Sequence, residues 1–340
     1  MRIDANNILV LRMSGVGDVL WTTPFLANLR RGCPGARLSY VVRASCAPVL
    51  GNNNDIDELI VFKGGGLRQQ IGFLRDLRSR RFDLAIDLVG TPRTAIQALV
   101  CGAGHRLGYD FGYRRLFYNH LLSARKANYG HEVEFNLYAL GYLGIPVRTK
   151  ALVYNMTAGE IDYRRETYKN IGLSSDAPVI GLMPTGGWEC KRWPVEYFIE
   201  LGRSCAGRGG IRFLVFWGGP SEQRDARAIA DGIGQAAVAA PATDLRQMAA
   251  LLSGCTAVVG NDSGPLHIAT ALGVPVISFY GPTSPRGQGP WGEGHAVLRD
   301  ESLSCLVCNR TDCQRPRCME GIKPAAAIKA LDGLLNRVKK

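Results

Sequence analysis

The stretch ILVLRMSGVGD (residues 8–18) decides the fold, because it runs from an apolar strand through a glycine-bearing turn to the start of a helix. Its spacing predicts a strand over residues 8–12 and a helix over residues 18–31. In open α/β sheets, ligands bind at the carboxyl ends of the strands, where this turn lies. The turn has neither the G-x-G-x-x-G pattern of dinucleotide-binding domains nor the ending of a P-loop. Its chemistry must therefore come from other groups.

The rest of the chain repeats the order strand, turn, helix in two runs, separated by a mixed stretch near residues 144–160. Further strands are predicted at residues 37–43, 58–62, 83–89, 179–183, 211–216, 256–259 and 274–279. This alternation predicts two doubly wound α/β domains facing a cleft. The predicted divisions are a domain over 1–155, a domain over 156–322, and a terminal helix over 323–340 that can pack back toward the first domain.

Charge is unevenly spread along the chain. The formal net charge is +12, and residues 1–150 hold 20 Lys and Arg against 11 Asp and Glu. A basic first half suits an anionic partner such as a nucleic acid, a phosphorylated lipid or a membrane surface, or it serves solubility alone. A predicted amphipathic helix over 67–81, which includes Arg68, and the segment YRRLFY (113–118) combine cations with apolar residues. They are either part of that interface or a solvated charged face.

Neither a membrane span nor an export signal is predicted. The longest apolar run, residues 268–280, has 13 residues and contains Pro275, whereas a span needs about 18. The apolar residues 8–11 are followed at once by Arg12, and a signal core needs roughly 7–15. We therefore expect a cytoplasmic protein whose ten cysteines are thiols or metal ligands rather than a disulfide framework.

Asp18 is the first candidate catalytic residue. It follows the small residues Ser14, Gly15 and Gly17 at the predicted edge of the sheet. A carboxylate in this position can take the proton from a hydroxyl nucleophile that is held within hydrogen-bond reach. It can equally cap its own helix, since acidic side chains are favoured at helix starts.

The segment GNDSGPLH (260–267) is a candidate phosphate site. A strand ends, the chain turns on small residues, and a helix starts with proline at its first position. The free N–H groups of such a helix start bind phosphate. Asp262 and Ser263 add polar side chains, and His267 lies in the first turn. The alternative is an ordinary capped helix with a packed histidine.

Two further loops follow strands of the second run. In TGGWECKRWP (185–194), Lys191 can offset the charge of a departing diphosphate as a metal would. In WGGPSE (217–222), Glu222 can accept hydrogen bonds from a ribose, or it is simply an acidic residue at a helix start.

Four cysteines near the end of the chain have the spacing of a zinc knuckle, with cysteine in place of histidine. They are Cys305, Cys308, Cys313 and Cys318. Four thiolates so placed could hold a closed structural zinc, which would leave no open position for catalysis. Free thiols and a disulfide pair are the alternatives.

Together, these motifs resemble those of the bacterial heptosyltransferases of lipopolysaccharide core assembly, glycosyltransferase family 9. The resemblance covers nearly the whole chain, and it rests on the order and separation of the motifs rather than on any single one. The matching segments are ILVLRMSGVGD (8–18) with TP (23–24), RLG (106–108), KRWP (191–194), VGNDSGPLH (259–267) and YGPT (280–283).

This resemblance implies a GT-B fold with an N-terminal acceptor domain and a C-terminal nucleotide-sugar domain. The implied donor is ADP-L-glycero-D-manno-heptose, and the implied acceptor is a lipid-linked anionic core oligosaccharide. The protein would be peripheral to the inner face of the inner membrane and would not bind nucleic acid. The implied reaction inverts the anomeric centre and requires no metal or other cofactor.

The resemblance also implies roles for individual residues. Asp18 would be the general base, Lys191 would contact phosphate and Glu222 would contact the ribose. The donor side would further include Asp262, Ser263, Gly264, His267 and Thr185, although Thr185 lies in TGGW (185–188) where some members are threonine-rich. The acceptor side or its loop would include Ser14, Gly15, Gly17, Arg68 and Arg106.

Two other classes of function stay open. A nucleotide-sugar epimerase, or a glycosyltransferase for another nucleotide sugar, could use a related scaffold, and the epimerase would need no acceptor. A nucleic-acid-binding protein would use the basic half and a zinc knuckle, but the cysteines lack a compact basic and aromatic platform around them.

Overall fold

Two compact units make up the chain, and a computed structural model describes residues 4–127, 130–173, 177–208 and 210–338 of it. The units are Met1–Asn155 and Met156–Lys340, and each contains one parallel sheet of six strands. Parallel strands need crossover connections and are buried on both faces, which explains the alternation of apolar strands and helices in the sequence.

The first sheet has the order β3-β2-β1-β4-β5-β6. Its strands are β1 (Asn7–Leu11), β2 (Arg37–Arg43), β3 (Glu58–Phe62), β4 (Leu84–Asp87), β5 (His105–Tyr109) and β6 (His120–Leu122). Because β1 pairs with β2 on one side and β4 on the other, the strand order reverses at β1. Ligands of doubly wound sheets bind at such a reversal, beyond the carboxyl ends of the strands.

Six α-helices of the first unit are described. They are α1 (Val16–Leu20), α2 (Thr23–Gly32), α3 (Leu67–Ser79), α4 (Pro92–Val100), α5 (Ala124–Ala127) and α6 (Glu132–Tyr142), with 3₁₀ turns at Ala47–Leu50 and Gly112–Phe117. The crossovers from β3 to β6 place α3, α4 and the second 3₁₀ turn on one side of the sheet. There, Leu77 of α3 and Ala98 of α4 share an apolar cluster with Leu11 of β1.

The single helix predicted over residues 18–31 is wrong, because the chain forms α1 and α2 with a break at Trp21 and Thr22. Pro24 has no N–H to donate to the carbonyl of Leu20, so a continuous helix would leave that carbonyl without its bond. The hydroxyl of Thr23 donates to it instead, at 2.8 Å. The break shortens the element that carries Asp18 to a single turn.

The second sheet has the order β12-β11-β10-β7-β8-β9. Its strands are β7 (Val179–Met183), β8 (Arg212–Val215), β9 (Ala237–Ala239), β10 (Ala257–Asn261), β11 (Val276–Phe279) and β12 (Ala296–Leu298). Strands β10 and β7 are neighbours, and Gly260 lies opposite Met183. The loops that leave these two strands therefore begin side by side.

Helices cover both faces of the second sheet. They are α7 (Ala158–Asn170), α8 (Val195–Ala206), α9 (Pro220–Ile233), α10 (Leu245–Leu252), α11 (Gly264–Ala271), α12 (Pro285–Gln288), α13 (Arg317–Glu320) and α14 (Pro324–Val338), with a 3₁₀ turn at Glu189–Lys191. Among the described helices of both units, none has the length and apolar character needed to cross a bilayer.

The terminal helix α14 covers most of the segment predicted over residues 323–340. It belongs to the second unit, where Ala327, Leu331 and Leu334 of α14 are buried in the main apolar cluster with Phe198 of α8. The amphipathic pattern of α14 explains this placement, because its apolar stripe needs a face to cover. Packing of this helix toward the first domain stays a prediction.

Candidate active site

Asp18 lies on the one-turn helix α1, directly after the central strand of the first sheet. The turn before it requires glycine, because Gly15 has φ +88° and a Cβ there would lie 1.7 Å from Oδ2 of Asp18. Ser14 is exposed, Gly15 is half-buried and Gly17 is buried. The carboxylate of Asp18 is 34% exposed, so it is available to a ligand.

Arg12 holds the carboxylate of Asp18. Its guanidinium is buried at the end of β1, where Nη1 donates to the carbonyl of Leu88 at 3.0 Å. Nη2 donates to Oδ1 of Asp18 and also to Oε2 of Glu132, at 3.4 Å. Asp18 is thus oriented by an ion pair rather than acting as the N-cap, a position that Gly15 occupies. The alternative that Asp18 caps its own helix is therefore wrong.

Glu132 is the second carboxylate on Arg12. It begins α6 and is mostly buried, and this burial raises its pKa while the nearby Arg12 opposes that shift. For Arg12 itself, burial lowers the pKa, but Asp18 and Glu132 outweigh burial and raise it. The guanidinium therefore stays charged and holds two acidic groups.

Sequence reasoning missed both Arg12 and Glu132 as members of this group. For Arg12 a signal was present, since an arginine directly follows four apolar residues of a buried strand and needs a partner there. For Glu132 no local signal exists, because it lies 120 residues from Arg12 in the chain.

Asp262 is the centre of a polar network in the second unit. Its Oδ2 accepts from Nζ of Lys191 at 2.6 Å and from the hydroxyl of Thr283 at 2.7 Å, and its Oδ1 accepts from Tyr280 at 3.3 Å. Burial raises the pKa of Asp262, but the neighbouring His267 imidazole and the charge of Lys191 outweigh burial and hold the pKa well below its usual range. Asp262 is therefore ionised at neutral pH.

The start of α11 combines a helix N-terminus with a buried serine hydroxyl. Ser263 is the N-cap residue with extended backbone, and Gly264 is the first helical residue. The hydroxyl of Ser263 is buried and has no hydrogen-bond partner among the described residues. His267 is buried one turn later, with Nε2 at 3.9 Å from Oδ1 of Asp262. An unpartnered hydroxyl beside the positive end of a helix suits a phosphate oxygen.

Asn261 connects this helix start to the loop that carries Lys191. Its side-chain oxygen accepts from the N–H of Trp193 at 2.9 Å, and its amide donates to the carbonyls of Pro184 and Thr185. Nζ of Lys191 also lies 4.1 Å from the ring centre of Trp188. Thr185 is thereby placed beside the β10 loop. The structure brings together Thr185, Lys191, Asp262, Ser263, Gly264 and His267.

Glu222 lies in the first turn of α9, after β8. Its Oε2 accepts from the N–H of Gly218 at 2.9 Å, and its Oε1 accepts from Nη2 of Arg192 at 3.4 Å. Arg192 in turn donates to the carbonyl of Gly186 at 3.0 Å. Arg192, which sequence reasoning overlooked, thus links Glu222 to the Lys191 loop and leaves the carboxylate capacity for further hydrogen bonds.

Arg68 and Arg106 lie apart from the Arg12 group in the contacts of the described residues. Arg68 is exposed on α3. The guanidinium of Arg106 donates to the carbonyls of Phe117 and Ala103, at 3.0 and 2.9 Å, and so fastens the segment after β5. An acceptor-binding role for these two residues stays a prediction.

The four terminal cysteines are not gathered into a metal site. Cys305 and Cys308 are exposed, Cys313 is half-buried and Cys318 is buried, all as unpaired thiols. Within the described ranges, no group of three or more His, Cys, Asp or Glu side chains is placed to hold a metal ion. Burial, with Cys305 and Cys308 nearby, raises the pKa of the Cys318 thiol to about 11. Of the three alternatives for these cysteines, the described arrangement is that of free thiols.

Comparison with known proteins identifies the family. The model of glycosyltransferase family 9 (heptosyltransferase) matches residues 71–318. The chain is 28% identical over 320 residues to lipopolysaccharide heptosyltransferase 1 of Escherichia coli O18:K1:H7, covering 89% of this chain and 94% of that protein. It is 29% identical over 310 residues to lipopolysaccharide heptosyltransferase 2 of Escherichia coli K12, covering 86% and 87%.

Solved structures agree with this comparison. The glycosyl transferase family 9 protein of Veillonella parvula has a TM-score of 0.88 and 25% identity, with 99% of both chains covered. The ADP-heptose heptosyltransferase II of Escherichia coli has a TM-score of 0.80 and 26% identity, covering 98% of this chain and all of that one. These likenesses confirm the predicted GT-B fold. The chain therefore belongs to glycosyltransferase family 9, the heptosyltransferases of lipopolysaccharide biosynthesis, and is a glycosyltransferase.

Proposed function

We propose that this chain transfers a heptose from ADP-heptose to a hydroxyl of a lipid-linked lipopolysaccharide core acceptor, with inversion at the anomeric carbon. Residues 156–322 would bind the donor and residues 1–155 the acceptor. Family membership supports the sugar class, as do relatives named lipopolysaccharide heptosyltransferases. The observation that carries the proposal is the start of α11, where a largely shielded cation, an unpartnered hydroxyl and a helix N-terminus occur together.

The donor diphosphate would bind at this helix start. The hydroxyl of Ser263 and the N–H groups at the start of α11 would donate to phosphate oxygens, with Nζ of Lys191 next to them. Glu222 would accept hydrogen bonds from the ribose. Because Lys191 is charged and largely shielded from water, it can stabilise negative charge that develops on the departing ADP. These groups supply the positive charge for departure, so we expect transfer to need no metal ion.

Asp18 would act as the general base. It takes the proton of the acceptor hydroxyl, whose oxygen forms a bond to the anomeric carbon while the bond from that carbon to the diphosphate breaks. The electron pair leaves with ADP, and one attack from the opposite face inverts the centre. Arg12 is a positioning residue, since it fixes the orientation of the Asp18 carboxylate without being the proton acceptor.

The acceptor assignment draws on the charge of the first unit. Its sequence is strongly basic, which suits a core oligosaccharide that carries phosphates and acidic sugars. Because that acceptor is lipid-linked, we place the protein at the cytoplasmic side of the inner membrane as a peripheral protein.

Mass-spectrometric transfer tests the proposal, using a panel of nucleotide sugars and defined core acceptors. We expect heptose transfer from ADP-heptose, undiminished by excess EDTA, and a single anomer in the product. Asp18→Asn should lower turnover by 10²–10⁴, in the range typical for loss of a general base, with unchanged ADP binding. Near-normal turnover would remove Asp18 from this role. Isomerised sugar from the donor alone would favour an epimerase, and preference for another nucleotide sugar would replace the donor.

A further inference from the structure

One side of the first unit exposes apolar and basic side chains together. We call the outward surface of α3, α4 and the 3₁₀ turn Gly112–Phe117 the basic face. These elements cover the same side of the sheet, as their inward residues share one apolar cluster. Arg78 of α3 reaches the end of α4, since a Cβ on Gly102 would lie 1.7 Å from its Nη1. The basic face is therefore continuous from α3 to α4.

Large apolar side chains are concentrated on the basic face. Leu67 is 74% exposed and Leu116 is 78% exposed. Nine large hydrophobic residues are exposed within the described ranges, and six of them lie on the basic face. Besides Leu67 and Leu116, these six include Ile71, Ile96, Leu99 and Tyr113. Single exposed leucines are common on soluble proteins, but a concentration of them marks an interaction site.

The charge of the basic face is almost wholly positive. Its arginines are Arg68, Arg75, Arg78, Arg93, Arg114 and Arg115, and none of them forms an ion pair with a carboxylate among the described residues. Its one acidic residue, Asp76, is paired with Arg80 at 2.9 Å. A partner that complements this surface therefore carries negative charge.

Helix α3 shows how both kinds of side chain are used. Only Leu77 of its thirteen residues is buried, so the helix lies on the surface with most of its side chains outside. At helical spacing, Leu67 and Ile71 continue in one stripe with Arg75 and Arg78. A surface that exposes apolar side chains next to arginines can present both kinds of group to the headgroup region of a membrane.

From these observations we infer that the basic face docks the protein on an anionic lipid bilayer. The apolar side chains enter the headgroup region, and the arginines contact lipid phosphates. A single-stranded nucleic acid fits less well, because it stacks its bases on aromatic rings and Tyr113 is the only strongly exposed aromatic side chain on this face. The inference rests on the proposed function, because docking on a membrane would bring the enzyme to an acceptor that is lipid-linked.

Sedimentation of the full chain with vesicles tests the inference. Vesicles of phosphatidylcholine alone are compared with vesicles that also contain phosphatidylglycerol, at low and high salt. We expect binding to the anionic vesicles, weakened by salt because exposed charges are screened. Equal binding to both vesicles, or none to either, would overturn the inference. Capture of oligonucleotides without vesicle binding would do the same.

Three variants separate the contributions. Arg75→Gln/Arg115→Gln should weaken binding to anionic vesicles by about fivefold for each arginine removed. Leu67→Ser/Leu116→Ser should remove the part of binding that persists at high salt. Arg165→Gln/Arg227→Gln, an equal loss of charge from exposed positions of the second unit, should bind like the native chain. An equal loss in this control would contradict a specific face.

Activity assays distinguish failure of this inference from failure of the proposed function. With a water-soluble core oligosaccharide freed of lipid, all three variants should transfer heptose at the native rate. With acceptor embedded in vesicles, only the two basic-face variants should be slower. If the native chain transfers no heptose to either acceptor, the proposed function fails, while the vesicle measurements still decide whether the basic face binds lipid.

Discussion

Nζ of Lys191 lies 2.6 Å from Oδ2 of Asp262, and both side chains are largely shielded from water. The cation assigned to the donor diphosphate is therefore already neutralised by a carboxylate that the same site contains. The pairing offsets the cost of placing a cation and an anion where little water reaches them, since an unpaired charge in such a place is costly. It also means that an arriving diphosphate shares Lys191 with Asp262.

Asp262→Asn should destabilise the unliganded protein and increase its response to ADP. The substitution leaves Lys191 without its anion, at a cost of about 1–3 kcal/mol. Bound diphosphate replaces the missing negative charge, so ADP should raise the melting temperature more in the variant than in the native chain. Thermal unfolding with and without ADP measures both effects. An equal or smaller ADP response in the variant would contradict this account of the pair.

Lys191→Met should weaken ADP binding by roughly 10- to 100-fold, the range expected when a charge-assisted hydrogen bond to phosphate is lost. Isothermal titration calorimetry gives the affinity. Lys323→Met is the matched control, because Lys323 is a cation of the second unit that donates to the hydroxyl of Tyr197 instead. Equal losses in both variants would show a general effect of charge and not a contact at the site.

Gly15→Ala should abolish most of the transferase activity at a modest cost in stability. The added Cβ would meet Oδ2 of Asp18 at 1.7 Å, and the positive φ of 88° adds about 1–2 kcal/mol of strain. Gly144→Ala is matched for strain, with φ +72° and nothing within 4 Å of its Cβ. Turnover and urea unfolding are measured for both. We expect similar unfolding free energies and a loss of turnover in Gly15→Ala alone.

Acidification should destabilise the first unit through His120. Its Nε2 is 2.9 Å from Nδ1 of His105, so one ring nitrogen must be unprotonated and accept a hydrogen bond from the N–H of the other ring. Burial lowers the pKa of His120, and the nearby His105 and Arg106 lower it further. The folded form therefore binds a proton less readily than the unfolded form, whose pKa is about 6.5. The contribution of His120 to the free energy of unfolding is therefore intact above about pH 6.5 and declines as the pH falls below that value.

Urea unfolding at several pH values between about 5 and 8 tests this dependence. His120→Gln should flatten the decline at the acidic end, because the group that takes up the extra proton in the unfolded state is gone. If the variant declines as steeply as the native chain, other residues cause the acid sensitivity.

Several strands were predictable from the sequence because their signal is local. Strands β2, β3 and β7 have the predicted bounds, since each is a short apolar run whose burial does not depend on a particular neighbour. The strands that were not predicted lie toward the sheet edges, such as β5 with its sequence HRLGY and the three-residue β9. Such segments become strands only when a neighbouring strand pairs with them.

The positions of the candidate site residues were predictable in the same local way. A carboxylate after β1 and a proline-led helix start after β10 are visible as patterns within a dozen residues. Which groups hold those residues was not visible, because each partner comes from a distant part of the chain. Glu132 reaches Arg12 across 120 positions, and Lys191 reaches Asp262 across 71.

Strand and helix order, the two α/β units and the loops that carry polar side chains follow from periodicity and turn residues, which act over a few neighbours in the chain. Which elements pack side by side decides the rest. It decides the ionic partners of Asp18 and Asp262, the unpaired state of the four terminal cysteines and the continuity of the basic face. Folding brings those elements together to bury apolar surface, and the charged groups at their edges then pair with whatever that packing places within reach.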